Sequence, residues 1–349
     1  MGKEVIIFID MLAPKNKLQA DAIHMQQMNI VFFVTTMQPI NFLAKPDAQY
    51  LLLRTFFKRL RQVFIYLRRN KKNIHHIEVY PGGRFSFVLV ILAKLFAIKC
   101  ICVERGDLLY YNKKGYNRLT RFSMWYCYKF SDMVWYKEPY MKDKLKNIGV
   151  RKLFFLHNAI DTHVDSDISN YTERDIDFLW LNRIIPERKA EWFVEILQTP
   201  AFKNTNNHLA GIIKNSSYKK EQGYLLNQKF INLTVSDYVS TPEQYYKRAK
   251  YFVLPADVVF ANNALLEAMF YGVVPLVSNQ MGAELIIEHN KNGFIFNHTK
   301  EDFEAAMHKS LKVTADGYDK YSMAAKNKIT EDFSENFFYL RLSKLYNSL

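Results

Sequence analysis

The 349-residue sequence predicts an α/β chain made of two doubly wound, Rossmann-like domains in succession. Three observations predict it. Short apolar runs alternate with helical stretches along the whole length, the pattern that gives parallel strands joined by right-handed crossovers. One polar stretch, Asp161 to Asp177, interrupts that alternation near the middle and reads as a linker. With 49% hydrophobic residues and no low-complexity tract, the chain has the length and composition for two ordinary globular domains.

In the first set, strands are expected near Val5 to Ile9, Ile30 to Val34, Ile77 to Tyr80, Cys100 to Val103, Met133 to Tyr136 and Leu153 to Leu156. Between the second and third, Leu53, Phe56, Phe57, Leu60, Val63, Phe64 and Leu67 recur at three- and four-residue steps, giving an amphipathic helix. Its outer face holds Arg61, Arg68, Arg69 and Lys72, and no acid occurs between Asp47 and Glu78. The apolar run from Phe85 to Ala93 has the look of a membrane span, but Lys94 and Lys99 interrupt its continuation; each would cost about 2.5–3.5 kcal/mol at a bilayer centre. A buried helix from Arg84 to about Phe96 followed by a strand fits better. In the second set, strands are expected near Phe178 to Leu181, Leu209 to Ile213, Asn232 to Val235, Tyr251 to Leu254 and Val274 to Val277, with another beginning after Asn292-Gly293. The division reads 1–165, 166–332 and a last helix, 333–349, that crosses back to the first domain.

The most informative stretch runs from Tyr251-Phe-Val-Leu-Pro255 through Val259-Phe-Ala-Asn-Asn-Ala-Leu-Leu-Glu267-Ala-Met-Phe-Tyr-Gly272 to Val273-Val-Pro-Leu-Val277. It reads strand, turn, capped helix, Gly stop, strand. A helix that starts just past the carboxyl end of a parallel strand points its amides and positive dipole end at the place where phosphate binds. Asn262 or Asn263 caps it, and Glu267 lies one turn in. A core helix with one exposed Glu would look the same locally. Upstream, Phe178-Leu-Trp-Leu-Asn-Arg183-Ile-Ile-Pro-Glu-Arg188-Lys189 is a strand entering a basic turn, and downstream Gly282-Ala-Glu284 follows the last strand.

In this order and at these distances the pieces resemble the family 4 retaining glycosyltransferases, the glycosyl transferases group 1, over roughly Phe130 to Phe296. The resemblance implies the GT-B fold, two Rossmann-like domains facing a central cleft. It implies transfer of a hexose-type sugar from a nucleotide diphosphate donor, a UDP-sugar, to a lipid-linked or surface-polysaccharide acceptor, with retention and without a metal. Arg183, Arg188 and Glu267 would carry the chemistry. Arg183, Arg188, Lys189, Asp257, Asn262, Asn263, Leu266 and Glu267 would bind the donor, and Glu104, Arg105 and Asp107 would lie on the acceptor side. The cations suit the negative charge that develops on the departing phosphate; a salt bridge from the basic turn to Glu187 or Glu191 is the plainer reading. No cofactor is expected. Asp165-Ser-Asp167 and Asp175-Ile-Asp177 match the Asp-x-Asp of metal-dependent transferases, yet such pairs arise by chance in an acidic linker.

The chain also departs from that pattern. Val259 stands where the first of two glutamates is usual, Met11 to Lys17 replaces a Gly-rich loop, and Glu104-Arg105-Gly106-Asp107 replaces a His-Gly. A nucleotide-sugar 2-epimerase on the same fold and a non-catalytic membrane-associated homologue therefore stay open as alternatives.

Charge separates the two halves. Met1 to Asp165 holds 27 Lys and Arg against 12 Asp and Glu, whereas Ser166 to Leu349 holds 21 against 22, so all of the net +14 lies in the first half. A basic amphipathic helix there fits an anionic membrane surface or a solvated face. Nucleic acid is not expected, since no recognition motif accompanies the charge. Three cysteines, with Cys100 and Cys102 expected on opposite sides of a strand, make no disulfide framework. With no secretory signal at the start, the expected place is the cytoplasmic face of the membrane, peripherally bound.

Overall fold

The computed structural model describes residues 3–9, 16–34, 48–52, 55–83, 85–105, 108, 117–163, 168–212, 230–237 and 239–349. The chain divides into two compact units, Met1–Asn158 with Glu335–Leu349, and Ala159–Ser334. The first boundary falls earlier than 165 because Ile160 pairs with Ser334 and its N–H donates to the Phe333 carbonyl at 3.0 Å.

The first unit is a seven-stranded parallel sheet in the order β3-β2-β1-β4-β5-β6-β7. The strands are β1 (Glu4–Ile9), β2 (Asn29–Val34), β3 (Ala48–Leu52), β4 (Ile74–Val79), β5 (Lys99–Glu104), β6 (Met133–Tyr136) and β7 (Leu153–Phe155). Edge strand β3 was not expected; it pairs with β2 from Ile30↔Ala48 to Val34↔Leu52. The helices are α1 (Asn16–Met25), α2 (Phe56–Asn70), α3 (Ser86–Leu95), α4 (Arg118–Phe130) and α5 (Lys142–Ile148). In α2, Val63 and Leu67 are buried, while Arg61, Arg68 and Arg69, and Lys72 just beyond, are exposed. Helix α3 has ten residues, and among the described residues no helix is long and apolar enough to cross a membrane. Cys100, Cys102 and Cys127 are buried. Cys100 and Cys102 both enter the core while Ile101 points to the other layer. They share a face, because residues two apart on a strand do so, which corrects the opposite-side expectation.

The second unit is a six-stranded parallel sheet in the order β10-β9-β8-β11-β12-β13. Its strands are β8 (Ile176–Leu181), β9 (Asn207–Ile212), β10 (Leu233–Asp237), β11 (Ala249–Leu254), β12 (Val274–Ser278) and β13 (Phe294–Phe296). The helices are α6 (Ala190–Leu197), α7 (Glu243–Tyr246), α8 (Asn263–Phe270), α9 (Ala283–Ile286), α10 (Lys300–Ser310) and α11 (Ala315–Asp332). One core layer joins Phe193 of α6 with Phe303 and Met307 of α10 over Phe178, Tyr251 and Leu276 of the sheet. The strand order reverses between β8 and β11, and a crevice for ligand forms at the carboxyl ends of strands at such a switch point.

Helix α12 (Glu335–Asn347) belongs to the first unit. Its Tyr346 hydroxyl donates to Glu78 Oε1 at 2.5 Å, and Gln19 donates to the other carboxylate oxygen. Both Glu78 and Tyr346 are buried, and Tyr346 stays protonated because burial and the Glu78 carboxylate push its hydroxyl well up. A buried carboxylate needs such donors to be tolerated, so this contact fixes α12 in one register.

Candidate active site

The residues after β8 and after β11 meet at the switch point of the second unit. On the β8 side the strand backbone is brought close to β9. Asn182 N–H donates to the Ala210 carbonyl at 3.2 Å, and Gly211 adopts φ +136°. A Cβ at Gly211 would come within 1.7 Å of the Asn182 carbonyl oxygen, so only glycine lets the chain reach Arg183 along this path. Arg183 is exposed, and its side chain makes no ion pair among the described residues. Pro186–Arg188 forms one 3₁₀ turn. The following Lys189, at φ +52°, turns the chain into α6.

On the β11 side the segment after Pro255 folds back on the basic turn. Asp257 N–H donates to the Glu187 carbonyl at 3.0 Å, and Arg188 Nη1 donates to the Val258 carbonyl at 3.1 Å. Asp257 Oδ1 lies 3.5 Å from Lys189 Nζ and 3.0 Å from His298 Nε2. Trp192 packs under both partners, 5.1 Å from the His298 ring and 5.8 Å from Lys189 Nζ. Val259, standing where a glutamate is usual, is fully buried. The amides of Val259 and Phe260 donate to the Met281 carbonyl at 3.3 and 3.1 Å. Ala261, at φ +48°, makes the elbow into α8.

Asn262 caps that helix, its Oδ1 accepting from Leu265 N–H at 3.1 Å. The amides of Asn263 and Ala264 head the helix, where no intrahelical acceptor exists. One turn in, Glu267 is partly buried, and the hydroxyl of fully buried Tyr246 in α7 donates to its Oε2 at 3.0 Å. Burial pushes the Glu267 carboxyl up to about 7, with the Tyr246 hydrogen bond opposing. Arg174 sets this spacing. It is buried, and its guanidinium donates to the Tyr246 carbonyl (2.9 Å), the Ala249 carbonyl and the Tyr271 carbonyl (2.7 Å). The carboxyl ends of α7 and α8, which carry Tyr246 and Glu267, are thereby joined, and carbonyls at helix ends are favourable company for a cation.

Of the residues expected at this site, the structure brings Arg183, Arg188, Lys189, Asp257, Asn262, Asn263 and Glu267 around the ends of β8 and β11. Leu266 is the exception. Its side chain is fully buried in the core, because it faces inward on α8, so it offers a ligand only backbone. Sequence reasoning missed Tyr246, Arg174 and His298. Each meets its partner across 21 to 97 residues, and no local motif marks them.

In the first unit Glu104 is fully buried at the end of β5; Leu108 N–H donates to Oε1 at 3.1 Å and Tyr128 donates to Oε2. Its carboxylate holds the fold together and does not face outward as an acceptor-side residue would. Arg105 lies over the Tyr80 ring, 3.9 Å from its centroid, and Asp107 lies outside the described residues. The Asp-x-Asp pairs dissolve in the same way. Asp175 pairs with Arg248 at 2.8 Å and Asp177 with Lys250 at 2.8 Å, and Asp165 and Asp167 are outside the described residues. Among the described residues no cluster of three His, Cys, Asp or Glu is placed to hold a metal ion.

Residues 162–329 match the family described as Glycosyl transferases group 1. No curated protein sequence matches the chain. Solved structures of the same fold include a glycosyltransferase from Rickettsia africae ESF-5, at 13% identity and TM-score 0.78, covering 99% of this chain and 98% of that one. Anabaena Alr3699/HepE in complex with UDP and glucose superposes with TM-score 0.78 at 11% identity over 99% of this chain and 100% of that one. The lipopolysaccharide outer core galactosyltransferase WaaB in apo form does so with TM-score 0.73 at 15% identity, over 99% and 100%. The chain has the GT-B fold of these structures, and its residues 162–329 carry the match to glycosyl transferases group 1.

Proposed function

We propose that this protein is a glycosyltransferase of that group, moving a hexose-type sugar, with retention and without a metal, from UDP-sugar to a lipid-linked or surface-polysaccharide acceptor at the cytoplasmic face of a membrane. One observation carries the donor half of the reading. The basic turn after β8 and the head of α8 after β11 flank the switch point of the sheet, so cations and helix amides converge where strand topology opens a crevice. Arg183 and Arg188 hold the diphosphate there, with Lys189 as the neighbouring cation, and Glu267 accepts from the ribose hydroxyls. Departure of the nucleotide breaks the anomeric C–O bond and builds charge on the β-phosphate, and fixed cations stabilise that charge most. The acceptor hydroxyl attacks from the same face, and its proton passes to the departing phosphate oxygen. No dedicated general base is required.

The missing first glutamate leaves sugar contact to other groups. Asp257, held by Lys189 and His298, and the amides at the head of α8 are the groups at hand. UDP bound to HepE supports the choice of nucleotide. For the membrane half, α2 offers the exposed cations Arg61, Arg68, Arg69 and Lys72, and an anionic leaflet attracts each for about 1 kcal/mol.

The test is turnover of UDP-sugars with isolated glycolipid acceptors. Arg183→Ala and Arg188→Ala are each expected to cut turnover about a hundredfold or more, with folding checked by thermal unfolding. Wild-type turnover in both variants would remove the assignment. Sugar conversion without any acceptor would point instead to an epimerase.

A further inference from the structure

Helices α2, α3 and α4 contain no aspartate or glutamate. They also hold seven of the thirteen large hydrophobic side chains that are exposed among the described residues. On α3 and α4 these are Ile91 (42% exposed), Leu95 (66%), Leu119 (50%), Phe122 (47%) and Phe130 (38%). Phe87, Ile91 and Leu95 stand four residues apart on α3 and so share one face, and the phenylalanines of α4 join a cluster of rings. Phe87 of α3 meets Phe122 of α4 with ring centroids 5.7 Å apart, Phe122 meets Trp125 at 6.0 Å, and Trp125 meets Phe130 at 5.7 Å. Lys94, Arg118 and Lys129 are exposed on the same two helices. A contiguous apolar surface rimmed by cations is uncommon on a protein that faces only water.

We infer that the α3–α4 face inserts into the headgroup–acyl boundary of an anionic bilayer, seating its aromatic and aliphatic side chains among the lipids while the surrounding lysines and arginines meet the headgroups. This rests on the reading that the enzyme works at a membrane, and it adds an insertion surface to the electrostatic one on α2. Three features favour the bilayer as occupant. A second copy of the chain meeting the same patch about a two-fold axis would set cations against cations, with no acid on either helix to offset them. Nucleic acid matches the charge and the rings, but Ile91, Leu95 and Leu119 offer no plane for stacking a base. A bilayer takes aliphatic and aromatic side chains alike, with amphipathic rings at the interface.

Trp125 makes the inference measurable. It is partly exposed within the face, whereas Trp135 and Trp180 are fully buried and Trp192 lies in the other unit. Vesicles of equal parts phosphatidylcholine and phosphatidylglycerol, with or without brominated acyl chains, are mixed with the full chain. Bromine should quench the tryptophan emission, and Trp125→Phe should abolish that loss. The double substitution Leu119→Ser with Phe122→Ser should lower vesicle partitioning at high salt about tenfold or more, with the UDP-induced thermal shift unchanged as evidence of folding.

Sedimentation with the vesicles but no bromine quenching would overturn the insertion and leave adhesion by charge alone. Failure to sediment at all would overturn insertion together with the membrane reading. A concentration-dependent dimer abolished by the double substitution would assign the face to a second copy, and loss of vesicle binding to a single-stranded oligonucleotide competitor would assign it to nucleic acid.

Discussion

Glu267 is the side chain whose chemistry this fold alters most. An ordinary glutamate is ionised at neutral pH, but burial pushes this one up to about 7. A folded pKa above the unfolded value means that the folded state holds the proton more tightly. The stability Glu267 contributes is therefore full below about 4.5 and is lost as pH rises through 7. In the proposed role of Glu267 donor binding has the opposite sign, because the ribose hydroxyls would donate to the carboxylate. Affinity for UDP should thus weaken below pH 7, by up to about tenfold per pH unit, as read by calorimetric titration. Tyr246→Phe removes the hydrogen bond that favours the ionised form, so its acidic limb should move to higher pH, with KM for the donor raised and kcat little changed. Glu267→Gln should lose the pH dependence along with most of the affinity while keeping the fold. An unchanged UDP affinity in folded Glu267→Gln would make the residue structural. The position of Glu267 was legible from the helix and its Gly stop. Its Tyr246 partner was not, because a phenol on a four-residue helix carries no periodic signal.

The β8–β9 pair decides where the basic turn starts. Gly211 has a conformation that side chains rarely adopt, and its neighbour across the sheet is the Asn182 backbone, which cannot swing aside as a flexible side chain would. Gly211→Ala should cost at least about 2–3 kcal/mol, measured by denaturant unfolding, and should depress donor binding in whatever fraction folds, since Arg183 follows Asn182 directly. A wild-type midpoint would show that the two strands can separate without loss. Most elements were legible for a plain reason. Buried parallel strands such as Phe178 to Leu181 and Tyr251 to Leu254 are unbroken apolar runs, and α2 repeats its apolar residues at helical steps. Strand β3 was missed because Ala48–Leu52 is short and lies at the sheet edge, where one-sided pairing demands less of the sequence. Glu104 was misread for a related reason. A carboxylate at a strand end looks like a ligand in sequence, and only the fold shows Tyr128 and the Leu108 amide closing on it.

Across the whole chain the charge is divided as the two units are, and that division was fully legible because it needs only counting. The first half carries 27 basic residues against 12 acidic, and the second half is nearly neutral. A surface needing only solubility can mix its charges; this one excludes acids from three helices, one of which presents Arg61, Arg68, Arg69 and Lys72 to solvent. In the proposed membrane role this charge would give long-range attraction to an anionic bilayer, screened beyond about 8 Å at physiological ionic strength. Binding to phosphatidylglycerol vesicles should therefore weaken steeply as salt rises. The quadruple change Arg61→Gln, Arg68→Gln, Arg69→Gln and Lys72→Gln removes about 1 kcal/mol per side chain near the surface, so it should lower low-salt binding by two to three orders of magnitude and flatten the salt dependence. UDP affinity should be untouched, because the basic turn and α8 belong to the other unit. Equal sedimentation of wild type and the quadruple variant at low salt would show that these cations are a solvated surface, and any remaining vesicle affinity would then have to come from the apolar side chains of α3 and α4.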